Sequence, residues 1–376
     1  MIAINPFPVS GYRGPDYFCD REEETAQLIQ YVKNQQNVSL FSYRRLGKTG
    51  LVQHVFHKLG AEKSIRGVYI DVLSCMNLND FTDLLATAVY TLFPPEHTVG
   101  QKITKAILSL RPIITFDDLT GAPTVSLRAE LPQEKEAHIR QLFSFLDQRD
   151  WKIIIAIDEF QQILEFPEKN VEALLRTQMQ QLKNVQFIFC GSNQRLMHEI
   201  FNSAKRPFFA SCTPMHLGRI PEEKYKLFIR QKFAAKKRKI SDEALDFICS
   251  WTMRHTFYTQ SFCNYLYASP FKIIGTEEVH ASAAEVLKIH ENTFYQYRNL
   301  LTTAQWEVVK AIAKEVRVQQ PNSRKFIQKH KLGTPSSVNR ILDALLKKEM
   351  IFHNSMVSAP YYEVYNKFLM RWLAKS

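Results

Sequence analysis

The sequence predicts an α/β fold with a mostly parallel sheet and helices on both of its faces, followed by a helical lid and a C-terminal winged helix-turn-helix. Two observations support this class. Short apolar runs of strand type alternate with amphipathic helical segments until about residue 220, which is the pattern of a parallel sheet with helical crossovers. After that position, helical periodicity continues until the wing of the last segment.

Three segments follow from this pattern. We expect an α/β core at 1–220, with a β-hairpin insertion near 94–132. The insertion is predicted because "PIITFDDLTGAPTVSLRAE" has two β-rich runs around a turn. A helical lid subdomain is expected at 221–298 and a winged-helix domain at 299–376.

The composition is that of a globular chain with a basic surface. Of the 376 residues, 45% are hydrophobic, which is enough for a full core. The formal charge of +12 permits an anionic partner, although a basic surface kept for solubility explains it equally well. The six cysteines form no metal-binding pair, so we interpret them as buried thiols in a reducing compartment. No apolar run is long enough to span a bilayer, and we expect a cytoplasmic location without membrane contact.

A loop between a predicted strand and a predicted helix carries the first motif. The stretch "SYRRLGKTG" (42–50) matches the phosphate-binding loop G-x-x-x-x-G-K-[ST], except that Ser42 replaces the first glycine. Such a loop presents backbone N–H groups to phosphate oxygens at a helix N-terminus. Gly47 would let the backbone come close, Lys48 would contact the β- and γ-phosphates, and Thr49 would bind Mg²⁺. The alternative is a basic turn without a ligand.

A second polar motif, "IIIAIDEF", places Asp158 and Glu159 at the end of an apolar strand. Charges are rarely found there without a partner. Asp158 would hold Mg²⁺, and Glu159 would activate the attacking water as general base; an ordinary acidic turn is the alternative. Because both motifs stand at strand ends in the right order, together they predict a nucleotide-binding core that holds Mg²⁺.

The tip of the next predicted strand, "CGSN", carries a third candidate. Ser192 or Asn193 could lie between the two motifs there and orient water against the γ-phosphate. An ordinary polar turn explains the same residues equally well.

These motifs resemble the archaeal-type ATPases of the AAA+/STAND branch of P-loop NTPases, over nearly the whole chain. "YRRLGKTGL" is similar to the family's Walker A motif, "AIDEFQ" to its Walker B motif and "CGSN" to its sensor 1 segment. "YFCDREEE" resembles its N-terminal segment, where an arginine precedes the first helix, and "YYEVYNKFLMRWLA" resembles the end of its winged-helix region. The resemblance implies ATP hydrolysis coupled to conformational change. It implies nucleotide contacts from Arg21, Ser42, Arg44, Arg45, Leu46, Gly47, Lys48, Thr49 and Gly50.

The chain departs from the family pattern in three places. Ser42 replaces the first Walker A glycine. Where the family often has Gly-Arg after a proline-aromatic segment, "KRPFFASC" has Ala210 and Ser211, with Arg206 earlier. The lid reads "RHTFYTQ" in place of a glycine-rich turn. Many AAA+ mechanisms need an arginine from a neighbouring subunit, and Arg206 is our candidate. The residues expected to be catalytic are therefore Glu159, Lys48, Asn193 and Arg206.

The winged helix-turn-helix carries residues that could bind nucleic acid. "TPSSVNRILDALLKKEM" predicts its third helix, with Thr334 as N-cap and Pro335 at the first helical position. Double-stranded DNA is one predicted partner, because such a helix can enter the major groove; a protein partner is the alternative. The side chains predicted on its exposed face are Ser336, Ser337, Asn339, Arg340 and Asp343.

Two hypotheses of function follow. In the first, the chain hydrolyses ATP and acts as a nucleotide-driven molecular switch that passes movements of the lid and winged helix to a bound partner. In the second, ATP is structural, and the chain is a non-hydrolysing regulator whose winged helix binds DNA or protein. The adjacent carboxylates Asp158 and Glu159 favour the first hypothesis, and Ser42 leaves room for the second.

Overall fold

The structure is a computed structural model that describes residues 5–62, 64–92, 112–127, 132–148, 151–355 and 357–375. Its residues fall into two compact units, Gly11–Gly218 and a second unit that joins Met1–Ser10 to Arg219–Ser376. The N-terminal residues were expected in the core. They belong to the second unit because Phe7 is fully buried there among aromatic rings, and Asn264 Nδ2 donates a hydrogen bond to the Phe7 carbonyl oxygen at 2.8 Å.

The first unit is built on a five-stranded sheet. Its strands are β1 (Val38–Ser42), β2 (Ile65–Asp71), β5 (Lys152–Asp158), β6 (Val185–Gly191) and β7 (Thr213–Leu217), in the order β2-β5-β6-β1-β7. Every neighbouring pair in this sheet is parallel. Strands β1, β5 and β6 are buried almost throughout, as the near-continuous apolar runs of a parallel sheet require. The predicted α/β class is confirmed.

Helices cover both faces of this sheet. Alternate residues of β5 point to opposite faces, so that Ile155 joins one cluster of buried apolar side chains and Ile154 joins another. The cluster around Ile154 includes side chains of the helix that follows the phosphate loop. The helices are α1 (Glu22–Lys33), α2 (Lys48–Leu59), α3 (Leu78–Leu92), α4 (Pro132–Asp147), α5 (Val171–Gln181) and α6 (Gln194–Asn202).

The predicted hairpin is formed by strands β3 (Pro112–Phe116) and β4 (Pro123–Leu127), which pair antiparallel. It packs on α3 through Val125, which is fully buried, and through the hydrogen bond of 2.9 Å that the Val125 N–H donates to Thr87 Oγ1. Gly121, with a φ of 67°, occupies the left-handed position of the turn. The remainder of the insertion expected near 94–132 lies outside the described residues.

The second unit begins with helical elements and ends in a winged helix. Thr334 caps the third helix of the helix-turn-helix by accepting from Ser337 N, as predicted, and two antiparallel strands form the wing. Among the described residues, no helix combines the length and apolar character needed to cross a bilayer. The elements are α7 (Glu222–Ala234), β8 (Lys239–Ile240), α8 (Asp242–Trp251), α9 (Thr256–Ala268), β9 (Ile273–Ile274), α10 (Thr276–Asn299), α11 (Thr303–Glu315), α12 (Arg324–His330), α13 (Pro335–Lys347), β10 (Ile351–Asn354), β11 (Tyr361–Val364) and α14 (Lys367–Lys375).

A buried ionic cluster joins three segments of the second unit. The Glu363 carboxylate is fully buried and pairs with Arg219 at 2.6 Å, with Arg317 at 3.1 Å and with the buried Lys367 ammonium. Burial lowers the pKa of Lys367 to about 8 despite its carboxylate partner. Arg371 donates to carbonyl oxygens at the end of α8. Lid and winged helix therefore share polar contacts within one unit, and a domain boundary near residue 298 stays a prediction.

Candidate functional site

The phosphate loop leaves β1 at Ser42 and enters α2 at Lys48. Ser42 is fully buried, and its hydroxyl donates to the carbonyl oxygen of Tyr43 at 2.9 Å. Arg45 and Gly47 have φ angles of 63° and 98°, so both occupy the left-handed region that turns successive N–H groups toward a shared anion position. The loop thus has the backbone curvature of an anion-binding turn at a helix N-terminus, with serine accommodated at the position of the first glycine.

The two motifs meet in space. Lys48 Nζ lies 2.8 Å from Asp158 Oδ1 and 3.4 Å from Glu159 Oε1. Thr49 Oγ1 donates a hydrogen bond to Asp158 Oδ2 at 2.8 Å. The four side chains that the sequence proposed for phosphate, metal and water chemistry are therefore in direct contact, although the strands that precede the two motifs, β1 and β5, are separated by β6 in the sheet.

Two residues of β2 that the sequence analysis did not single out complete this cluster. The Tyr69 hydroxyl donates to Asp158 Oδ2 at 2.7 Å and lies 3.5 Å from Thr49 Oγ1. Asp71 is the register partner of Asp158 in the neighbouring strand. Both are polar residues near the end of a strand, and that position is the signal that could have indicated them.

The charges of the cluster hold one another in ionised form. Burial acts against the charged Lys48 ammonium, but the carboxylates of Asp158 and Glu159 outweigh it and raise the pKa of Lys48. Burial also acts to raise the pKa of Asp158, yet Lys48 and the hydroxyls of Tyr69 and Thr49 hold that pKa below its ordinary value. At neutral pH the site is thus a buried ion pair.

Glu159 is held from the side opposite Lys48. Its Oε2 accepts hydrogen bonds from Ser192 Oγ at 2.7 Å and from Gln161 Nε2 at 2.6 Å. A Cβ at Gly191 would lie 2.5 Å from Gln161 Oε1, so the glycine leaves the space that Gln161 occupies beside the carboxylate. Gln161 was not singled out in the sequence, where only its position two residues after Glu159 marks it.

The structure distinguishes the two candidates at the tip of β6. Ser192 reaches Glu159, as the placement of β6 between β1 and β5 allows. The Asn193 side chain instead accepts from Leu196 N at 3.2 Å and caps α6. In this structure Asn193 has a capping role, and the direct contact with the predicted general base belongs to Ser192.

The remaining predicted residues surround the loop or lie elsewhere. Arg44 and Arg45 are exposed, whereas Leu46 is buried, and Gly50 lies in the first turn of α2. The buried Arg21 donates hydrogen bonds to the carbonyl oxygens of Gly218 at 2.7 Å and of Leu46 at 3.4 Å. It therefore contacts the backbone of the phosphate loop at Leu46.

Arg206, the candidate arginine for a neighbouring site, is engaged elsewhere. Its two terminal nitrogens pair with Glu172, at 2.8 Å, and with Glu199. The structure therefore does not bring Arg206 to the cluster of Lys48 and Asp158. Its guanidinium links α5 to α6 in the same unit instead.

The donor set of the cluster fits Mg²⁺ and a phosphate chain. Thr49 Oγ1 and Asp158 Oδ2 are hard oxygen donors of the kind that Mg²⁺ prefers. Within the described residues, no group of three or more His, Cys, Asp or Glu side chains could hold a metal by itself. In phosphoryl-transfer sites, a few protein oxygens usually bind Mg²⁺, and nucleotide phosphates and water complete its coordination shell.

Comparison with known protein families decides the classification. The family model described as "ATPase domain predominantly from Archaea" matches residues 18–252. The chain belongs to this ATPase family. A second model, of a winged helix domain, matches residues 292–375. The P-loop ATPase core and the C-terminal winged helix expected from the motifs are thereby confirmed for this family member.

Solved structures share the fold of this archaeal-type ATPase. The Walker-type ATPase of Pyrococcus abyssi matches with a TM-score of 0.66 and 15% identity over 98% of this chain and 99% of that one. The ORC2 protein of Aeropyrum pernix, in ADPNP–ADP complexes, matches with a TM-score of 0.58 and 12% identity over 99% and 96%. The ORC1 protein of the same organism, in complex with DNA, matches with 0.51 and 12% over 96% and 93%. None of the curated proteins compared with the chain is significantly similar in sequence.

Proposed function

We propose that this ATPase-family protein binds ATP with Mg²⁺, hydrolyses it, and acts as a nucleotide-driven molecular switch. The observation that carries the proposal is the direct contact of Lys48 and Thr49 with Asp158, beside Glu159. An ammonium, a hydroxyl and two carboxylates at the mouth of an anion-binding loop are the groups that phosphoryl transfer requires.

Each side chain has a separate role in this proposal. Lys48 leaves its carboxylate partners and contacts the β- and γ-phosphates, while Thr49 and Asp158 hold the metal. Mg²⁺, when bound, would neutralise the negative charge that develops on the phosphate oxygens during transfer. Glu159 accepts the proton of the attacking water as general base, and Ser192 and Gln161 fix the direction of its carboxylate. Catalytic roles for Asn193 and Arg206 stay predictions.

The switch requires that the nucleotide state reach a partner through the second unit. The side chains of Ser336, Asn339, Arg340 and Asp343 are exposed on α13, which supports a winged helix that can present polar groups to DNA. A cytoplasmic location is part of the same proposal. The second candidate function is a regulator that binds ATP without hydrolysing it and contacts DNA or protein through the winged helix. The observation in favour of this alternative is the buried Ser42 at the first glycine position.

The test is the steady-state ATPase rate with Mg²⁺, with and without duplex DNA. Glu159→Gln should retain ATP binding and lose roughly 10²-fold or more of the rate, since it loses the general base. Lys48→Ala should lose both binding and turnover. Glu165→Gln, an exposed carboxylate just beyond the site, serves as the matched control and should turn over normally. If the wild type binds ATP but shows no turnover under either condition, the non-hydrolysing regulator becomes the better account.

A further inference from the structure

A small basic cavity lies in the winged helix, away from the nucleotide loop in the sequence. It has a volume of about 220 Å³ and is formed by one face of α11 and the end of α12 with the turn that follows. We call it the lysine pocket. Its charged lining residues are Glu307, Lys310, Lys314, Lys329, His330 and Lys331.

The basic side chains of the lysine pocket divide into two groups. Glu315 pairs with Lys329 and, at 3.0 Å, with His330. Lys310, Lys314 and Lys331 have no carboxylate within ion-pair distance in the part of the chain that the structure describes.

The three unpaired ammonium groups repel one another, and the Glu307 carboxylate is the opposing charge in the lining. Lys310 and Lys314 stand one helical turn apart on α11, and like charges at this spacing repel each other. Lys331 adds a third positive charge from the turn after α12. A bound anion would convert this repulsion into attraction.

The chemistry of the lining indicates the kind of anion. Besides its ammonium groups, the pocket is lined by the Glu307 carboxylate, the Ala311 methyl group and the His330 imidazole, which is engaged by Glu315; no lining side chain is an amide or a hydroxyl. Lysine ammonium groups are common donors to the phosphate oxygens of a nucleic-acid backbone. The turn that carries Lys331 leads within three residues to Thr334, the N-cap of α13.

We propose that the lysine pocket binds backbone phosphates of double-stranded DNA and thereby anchors the winged helix next to α13. The contact positions the protein on the duplex without selecting a sequence. The inference refines the partner of the proposed switch, and its test is a binding measurement that does not depend on ATP hydrolysis.

The experiment compares three full-length proteins by fluorescence anisotropy with a labelled duplex over a series of salt concentrations. The pocket variant is Lys310→Gln/Lys314→Gln. The control variant, Lys272→Gln/Lys288→Gln, removes two exposed lysines of the same unit outside the pocket and so has the same net charge. Circular dichroism and ATP binding establish that both variants are folded.

The slope of log affinity against log salt concentration is negative, and we expect it to become shallower by about 1.8 in the pocket variant, because each lost phosphate contact removes about 0.9 from its magnitude. The affinity at moderate salt should drop about tenfold or more, while the control variant stays close to wild type. Equal losses in both variants would overturn the proposal in favour of a general charge effect, and so would unchanged binding in the pocket variant.

A second experiment tests whether the lysine pocket binds a free polyphosphate instead of DNA. Inorganic tripolyphosphate is titrated calorimetrically into protein whose nucleotide site is saturated with ADP. If the pocket variant loses tripolyphosphate binding but binds duplex DNA like the wild type, the pocket serves a free polyphosphate and the DNA proposal is wrong. If DNA affinity falls in the pocket variant while ATP turnover is retained, the pocket contact stands independently of the proposed function.

Discussion

Replacing Lys48 by alanine should destabilise the nucleotide-free protein as well as abolish nucleotide binding. The Lys48 ammonium is the cation that contacts both Asp158, at 2.8 Å, and Glu159, at 3.4 Å. The Lys48 side chain is 8% exposed and that of Asp158 is 5% exposed. Removing the Lys48 ammonium leaves the adjacent, poorly solvated carboxylates of Asp158 and Glu159 without this counter-charge. The carboxylate of Asp71, on the neighbouring strand, adds to the negative charge there.

The size of the effect follows from the burial of the pair. Breaking a buried ion pair by removing one partner costs about 3–5 kcal/mol. The lower end applies here, because Thr49 and Tyr69 still donate hydrogen bonds to Asp158. For a unit the size of Gly11–Gly218, a loss of about 3 kcal/mol lowers Tm by roughly 6–12 °C.

The assay is thermal unfolding without nucleotide, with and without millimolar Mg²⁺. Mg²⁺ should raise the Tm of Lys48→Ala more than that of the wild type, because it can replace the missing positive charge beside the carboxylates. Lys58→Ala, an exposed lysine in the last turn of the same helix, is the control and should unfold close to the wild-type temperature. A Tm for Lys48→Ala equal to that of Lys58→Ala, or the absence of any additional Mg²⁺ effect, would refute the reasoning.

Three further changes test other contacts. Tyr69→Phe should raise the Mg²⁺ concentration for half-maximal hydrolysis about tenfold, since a hydrogen bond to a charged group contributes about 1.5–3 kcal/mol; a Mg²⁺ titration checks this, and an unchanged midpoint would count against a role at the metal site. Ser192→Ala should lower kcat about tenfold with KM unchanged, because the general base loses one of the two side-chain donors to its Oε2; a change confined to KM would contradict this. Glu363→Gln should lower the free energy of unfolding by about 3 kcal/mol, because the Lys367 ammonium stays buried without its carboxylate. Urea unfolding should also show the wild type losing more stability than the variant as pH falls from 4.5 through the lowered folded-state pKa of Glu363, because the variant lacks this carboxylate.

The residues of the site differed in how far they could be predicted. Lys48 and Thr49 follow from a loop motif, and Asp158 follows from an apolar strand that ends in carboxylates, because each signal lies within a few consecutive residues. Tyr69 belongs to no local motif. Its hydroxyl reaches Asp158 because β2 and β5 are neighbours in the sheet, and neighbourhood in a sheet is not encoded in any short stretch of sequence.

The alternation of strands and helices, the phosphate loop and the winged helix could all be predicted from the chain, because periodicity, capping residues and motif spacing act between residues that are close in sequence. Three contacts could be found in the folded protein alone: Ser192 with Glu159, Arg206 with Glu172, and Phe7 with the second unit. Each of these contacts joins residues more than thirty positions apart in the chain, and such contacts depend on the burial and hydrogen bonding of the folded protein as a whole.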